Sequence, residues 1–434
     1  MVEEGPSKSS SDFNQKESEA YPSLYQESAA RKTEDKTIII LEGRCVGGST
    51  TVNWTSSFRT PLSTLKFWQD SFGLAGYNAE ELAPFFLQTE KRFNFEPWLT
   101  APNENNALLR CGAVKRGFEA SPLSRNVRAC QNLGSCGLGC PTNARQSMLV
   151  TTIPAALDRG AQLLTKTRAE RFELGAGAPA GQVSAFQCRA LEPNLALAHA
   201  EYSQRAIKII ARHYVLAGGA INSPAVLLRS DAPDPYGCLG TRTFLHLGVL
   251  SSGRFAQKVA AWEGAPQGIY SDYFRDKQGF DGPIAYKLET PPLHPVIFAS
   301  TVPGFGKMQH ELLSSFAHRH TLLALLRDGF HAQSPGGQIK LRGDGAPVLV
   351  YSLTTYVMDG ARRAFLSMME IQFAAGARQV MPLHEMAKPY TSWDEARESS
   401  QRPADEAAAD ARGERAPYGR LRVRRRRKSR CGAT

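Results

Sequence analysis

Two glycine turns constrain this chain more than any other feature. In each, an apolar run leads into a Gly-Gly pair: TIIIL before GRCVGGSTTVN, with Gly47 and Gly48, and HYVLA before GGAINSPAVLLRS, with Gly218 and Gly219. The pattern predicts a buried strand, a tight turn and then a helix, with Ser223 as N-cap and Pro224 at the first helical position of the second unit. Glycine tolerates positive φ and lets backbone N–H groups approach a ligand without a Cβ in the way. A helix start behind such a turn adds a partial positive charge suited to phosphate. The plain alternative is that each pair only closes a tight strand–helix connection. Neither is a GxGxxG, and none follows a predicted strand elsewhere in the chain.

The remaining pattern extends this α/β reading. Helical periodicity is expected at STLKFWQDSF, NAEELAPFFLQTEKRF, NENNALLRCGAVKRG and RQSMLVTTIPAALDRG, and around His318 and His320. AQLLTK, QVSAFQCRA, RAIKIIA and RQVMPL read as strands. GGQIKLRGDGAPVLVYSL reads as a hairpin turning at Asp344-Gly345, and DGARRAFLSMMEIQFAAGA as a helix ending near Gly376. The expected division is an N-terminal arm at 1–36, irregular apart from one helix, a nucleotide-binding domain at 37–245 with lid helices at about 62–129, and a second domain at 246–390. From 391 to 434 the sequence loses large apolar residues and is expected to be a disordered basic tail.

The 434 residues carry a net charge of +11, yet seven basic residues lie in the last 14, LRVRRRRKSRCGAT. A basic run confined to one end reads as a solvated appendage, which argues against nucleic acid as a partner. No apolar run reaches the 18 or so residues of a membrane span. The N-terminus lacks an apolar signal region, so a cytoplasmic location is the default expectation.

Cys130, Cys136 and Cys140 form a C-x5-C-x3-C array interleaved with Gly134, Gly137 and Gly139. Thiolates on a glycine-rich loop can wrap one metal centre. Zinc normally takes four ligands, and no fourth Cys or His is near; three thiolates suit a [3Fe–4S] cluster. The alternative is a loop of buried free thiols.

GRCVGGSTTVN resembles the glycine-rich element of the glucose–methanol–choline (GMC) oxidoreductases, and GGAINSPAVLLRS resembles their second signature. CGLGCPTNARQSMLVTTIPAAL and GGQIKLRGDGAPVLVY extend the resemblance, which runs from about residue 20 to about 390. It implies an incomplete Rossmann-like FAD-binding domain plus an α+β substrate domain built on an antiparallel sheet. It places Gly47, Gly48, Ser49, Thr50 and Asn53 along the flavin and pyrophosphate, and Gly219 and Ala220 near the dinucleotide. The implied reaction is oxidation of an alcohol CH–OH with hydride transfer to FAD, a small-molecule alcohol as substrate and an external electron acceptor as partner. The cysteine spacing is similar to that of FAD-dependent sugar dehydrogenases that carry a [3Fe–4S] cluster.

The chain departs from the pattern at three places. The family's initial GxGxxG strand and its terminal His-containing segment have no counterpart here, and Ser230-Asp231 replaces the usual Ser-Gly. A truncated, inactive copy with weak flavin binding is therefore the expectation. The alternative is a non-enzymatic protein that keeps the fold without flavin. No histidine is assigned as catalytic base: His246, His318, His320 and His384 each read as satisfied or solvated side chains.

Overall fold

A computed structural model describes residues 1–175, 182–191, 202–275, 277–384 and 387–401. At the N-terminus, helix α1 (Glu17–Leu24) carries Ala20 and Leu24 into a buried cluster with Phe13, Tyr25, Cys45, Val52 and Leu138. The expected irregular arm is thus folded onto the first glycine turn. Beyond that turn come β1 (Ser56–Ser57), α2 (Leu62–Phe72), α3 (Ala79–Arg92) and β2 (Phe95–Pro97). The two helices have local stops and starts: α2 ends at Gly73 in a left-handed conformation, and the Asn78 side chain accepts from Glu80 N and Glu81 N to cap α3.

Helix α4 (Glu104–Lys115) follows, then β3 (Ser121–Pro122), β4 (Ser124–Asn126) and a short α5 (Thr152–Leu157). β5 (Thr167–Leu174), β6 (Val183–Leu191) and β7 (Tyr202–Ile209) make an antiparallel meander beside α6 (Gly219–Arg229). Helix α6 begins four residues before the predicted cap Ser223, so Pro224 lies inside it.

The second half contributes β8 (Gly248–Arg254), β9 (Ile269–Ser271), β10 (Tyr286–Glu289), α7 (Pro295–Thr301), α8 (Lys307–Ser314) and β11 (Arg319–Leu326). The predicted hairpin forms as β12 (Gln338–Leu341) and β13 (Pro347–Val350). Helix α9 (Thr355–Ala374), β14 (Gln379–Pro382) and α10 (Trp393–Gln401) complete the described chain. Helix α10 begins inside the stretch expected to be an unpatterned tail, and Ala396 on it is fully buried; residues 402–434 lie outside the described residues.

A six-stranded sheet, β14-β8-β11-β10-β9-β3, organises this half. Its pairings are antiparallel, as the resemblance implies for the substrate domain. Helix α9 lies across one face, burying Leu288, Leu322, Ala324, Leu326 and Val380 with its own Ala364, Met368 and Ile371. Helix α4 packs on α9. A Cβ at Gly112 would run into the Ile371 carbonyl oxygen, so only glycine allows this approach.

The two runs expected as buried strands before the glycine turns do not join a sheet among the described residues. Thr37–Leu41 makes one isolated bridge, Lys32 to Ile39, and 213–217 has no strand pairing among the described residues. Parallel pairing among the described residues is confined to the Val2–Leu164 bridge. A strand exists through its neighbours' hydrogen bonds, and Val215, in the second run, is 90% exposed. His318 and His320 are both expected on a helix; His318 ends a short 3₁₀ turn, Phe316–His318, and His320 lies at the start of β11, whose RHTLLALL is buried on both faces and so shows no alternation. Among the described residues no helix is long and apolar enough to cross a membrane.

Candidate functional site

The first turn is built by its own hydroxyls. Gly47 and Gly48 have φ of +88° and +55°, opening a 3₁₀ turn over Gly48–Thr51. Gly43 N donates to Ser49 Oγ at 2.9 Å. Thr50 Oγ1 donates to the Gly47 carbonyl at 2.6 Å and accepts from Met148 N at 3.0 Å. Ser49 and Thr50, expected along the ligand, therefore brace the loop. A Cβ at Gly48 would meet nothing within 4 Å, whereas one at Gly47 would lie 2.5 Å from Thr51 Oγ1 and 2.9 Å from Leu149 N. Gly48 is thus the open position and Gly47 the packed one. Asn53 is exposed, and its Oδ1 accepts from Thr55 N at 3.2 Å.

The second turn adjoins the first through Glu42. Gly219, with φ +86°, opens α6, and a Cβ there would be 3.1 Å from Glu42 Oε1. Asn222 Nδ2 donates to that same oxygen at 3.2 Å, and Arg31 Nη1 donates to Glu42 Oε2 at 2.5 Å and Asn222 Oδ1 at 3.3 Å. Burial raises the Glu42 carboxyl above the ordinary range against the lowering pull of Arg31. Sequence reading missed Arg31, Glu42 and Asn222. Only position marks the last two: one residue before Gly43 and three after Gly219.

These residues suit a nucleotide in part. Gly48 offers a backbone position with open space beside it, Asn53 an exposed carboxamide whose oxygen is already taken by Thr55 N, and Gly218, Gly219 and Ala220 an exposed helix start. Glu42, however, already stands at the start of α6, so a pyrophosphate would meet a carboxylate there.

Downstream of Asn53 the chain is pinned to the six-stranded sheet. Arg125, fully buried, donates through Nε to Thr55 Oγ1 at 2.7 Å, and through Nη1 to the Pro266 carbonyl at 3.0 Å. Its guanidinium lies 5.0 Å from the Trp98 ring centroid. Ser56 Oγ donates to Gln267 Oε1 at 2.6 Å. Phe58 then meets Tyr270 edge-on at 5.0 Å, over Lys287 and Glu289 of β10. Its surroundings open into a cleft of about 340 Å³ lined by Ser57, Phe58, Arg59, Glu90, Phe95 and Ser124.

The cysteine array is not gathered into a ligand cluster among the described residues. Among the described residues no group of three or more His, Cys, Asp or Glu is placed to hold a metal ion. Cys130, Cys136 and Cys140 are half-buried free thiols. Cys136 Sγ accepts from Arg125 Nη2 at 3.6 Å, and Cys140 Sγ pairs with Thr142 Oγ1 at 3.5 Å. The loop's curvature serves packing: Phe13 fills the space beside Gly139 and Trp54 that beside Gly137. The described residues thus lend the expected [3Fe–4S] ligand set no support, and Cys136 and Cys140 each have a separate partner. The histidines are no nearer to forming a base. His320 is fully buried with its pKa pushed down to about 3 by desolvation, and His384 packs on Phe365.

The chain resembles known proteins over most of its length. The family profile described as GMC oxidoreductase matches residues 21–248. A GMC-type oxidoreductase of Mycobacterium tuberculosis is 28% identical over 378 residues, covering 86% of this chain and 56% of the relative. A long-chain-alcohol oxidase of Arabidopsis thaliana is 25% identical over 385 residues, 88% of this chain and 49% of the relative. The chain thus spans about half the length of these relatives. Among solved structures, a formate oxidase of Aspergillus oryzae superposes with a TM-score of 0.55 at 12% identity, covering 85% of this chain and 75% of that one. At that identity the likeness concerns the fold alone.

Proposed function

The chain belongs to the GMC oxidoreductase family, and on that premise we propose that it oxidises the CH–OH group of an alcohol or sugar-like donor with FAD as hydride acceptor. Supporting this reading, two of the curated relatives it resembles over more than four-fifths of its own length are long-chain-alcohol oxidases. The structurally similar formate oxidase is described by its FAD modification. One observation supports it above the rest: the two glycine turns, 171 residues apart between Gly48 and Gly219, adjoin through Glu42, with Asn53, Gly219 and Ala220 exposed and Gly48 half-buried but open to an added Cβ. Bound flavin would supply the hydride acceptor. Gly48 and Asn53 would hold it at the first turn and Gly219 and Ala220 at the second, with an external acceptor reoxidising it.

The test is to incubate the full chain with FAD, remove free flavin, and record the visible spectrum before and after an alcohol is added without oxygen. Protein-bound flavin absorbance that bleaches with the alcohol supports the reading. A folded, colourless protein would sink it and favour a flavin-free member of the fold.

A further inference from the structure

The face of the six-stranded sheet opposite α9 is covered differently at its two ends. At one end Phe255, Leu293, Phe298, Leu312 and Met381 close over it with α7 and α8. At the other end β10 presents Lys287 and Glu289. Strand residues two apart share a face, and their neighbours Tyr286 and Leu288 point the other way: Tyr286 Oη bonds Ser367 Oγ on α9, and Leu288 is in the α9 core. In register, Glu289 stands between Tyr270 and Leu323, and Lys287 beside Leu325.

This corner is built with care for a charge. Lys287 Nζ lies 2.6 Å from Glu289 Oε1, 3.2 Å from the Phe58 ring centroid and 5.0 Å from that of Tyr270. The side chains are 17% and 2% exposed. An ammonium over two aromatic faces and against a carboxylate is well held. Its hydrogen bonding is nevertheless incomplete. Lys287 has three N–H donors and Glu289 takes one; the second Glu289 oxygen has no partner among the described residues. A spare donor and a spare acceptor thus stand side by side among Phe58, Tyr270, Leu323 and Leu325. His246, just before β8, also feels this ammonium: partial desolvation and the Lys287 charge hold its pKa down.

Phe58 ties the corner to the glycine turn. It follows Asn53 by five residues, and five residues of extended chain reach at most roughly 17 Å. The alternating contacts of Arg125 and Gln267 fix that stretch in place.

We propose that Lys287 and Glu289, under Phe58 and Tyr270, form a hydroxyl-binding subsite that takes an alcohol O–H between ammonium and carboxylate while the rings and leucines take its apolar part. The proposal rests on the reading of the chain as an alcohol oxidoreductase, and it names where the substrate oxygen sits. Lys287 donates to that oxygen and Glu289 accepts its hydrogen. A net-neutral pair discriminates against both ammonium and carboxylate ligands, because either would leave one member of the pair unmatched in a nearly dry site.

The experiment uses the full chain and ligand-observed NMR with 1-hexanol, 1-chlorohexane, hexanoate and hexylamine. The expected result is preference for hexanol over chlorohexane. Glu289→Gln should weaken hexanol by about tenfold or more, the loss expected for a hydrogen bond to a charged group, with chlorohexane unchanged. Lys287→Arg, which keeps the charge but changes the geometry, should lower the hexanol-to-chlorohexane ratio as well and serves if Glu289→Gln fails to fold. An unchanged ratio in either folded variant would overturn the proposal, as would preferential binding of hexylamine or hexanoate. So would failure of the wild-type chain to bind hexanol. Flavin uptake separates this from the parent reading. A chain that binds hexanol selectively but stays colourless sinks the flavin reading and keeps the subsite; one that binds flavin and ignores hexanol does the reverse.

Discussion

Asn222 donates to Glu42 Oε1 at 3.2 Å, and this bond joins the start of α6 to the residue before the first glycine turn across 180 positions of sequence. Arg31, almost fully buried, closes the triangle by donating to both. A helix start and a carboxylate attract each other, so the pairing fixes where α6 begins.

Replacing Asn222 with Ala should remove two of these three contacts and leave Arg31 paired with Glu42. The expected cost is about 1 kcal/mol of unfolding free energy, read by urea denaturation, with the far-UV spectrum unchanged. Under the proposed function flavin affinity should fall too. A variant as stable as the parent would mean that the triangle does not hold the turns together.

Gly47 and Gly48 are adjacent, both have positive φ, and they should respond differently to alanine. At Gly48 the new methyl meets open space, so the cost is the left-handed backbone alone, about 1 kcal/mol. At Gly47 the methyl also collides with Thr51 Oγ1 and the Leu149 backbone, and the expected loss is at least about 2 kcal/mol. Denaturation midpoints of the two variants check the order. Gly48→Ala should be the one that chiefly impairs nucleotide uptake.

Local chemistry made part of this structure legible and tertiary context hid the rest. The Asp344-Gly345 hairpin and the long α9 follow from residues within a few positions of one another. The glycine turns were legible for the same reason. Thr37–Leu41 and 213–217 have strand composition, yet a strand needs a partner, and no count of β-branched residues reveals whether one is present. Arg319–Leu326 is buried on both faces, so the alternation that distinguishes strand from helix is absent. Phe58 and Lys287 lie 229 residues apart, and nothing in either segment announces the other.

The Glu289 carboxyl gives a pH signature with a definite sign. Burial raises its pKa above the ordinary value of 4.5, against the lowering effect of Lys287. The folded state therefore holds this proton more tightly than the unfolded chain does. Its contribution to stability is fully present below the ordinary glutamate value and is lost as pH rises through the raised one. Glu289→Gln cannot titrate, so its stability relative to the parent should increase as pH climbs above about 4.5. Paired denaturation curves between acid and neutral pH check this. A relative stability that falls over the same interval would reverse the assigned direction.

Arg125 is the residue whose loss should be felt furthest. It is 0% exposed, and its guanidinium serves Thr55 Oγ1, the Pro266 carbonyl, the Trp54 carbonyl and Cys136 Sγ while stacking on Trp98. Methionine would fill much of the volume but leave those acceptors buried without donors, each at about 1 to 3 kcal/mol. Arg125→Met should therefore lose at least about 3 kcal/mol. Because these contacts hold the stretch from Trp54 to Phe58, hydrogen exchange should quicken there and at the Gln267–Tyr270 segment opposite before it does in α9. Lysine keeps the charge without the planar fork and should recover only part of the loss. Equal exchange rates in the two regions of Arg125→Met would show that the arginine supports the fold at large and has no particular hold on the link between the glycine turn and the sheet.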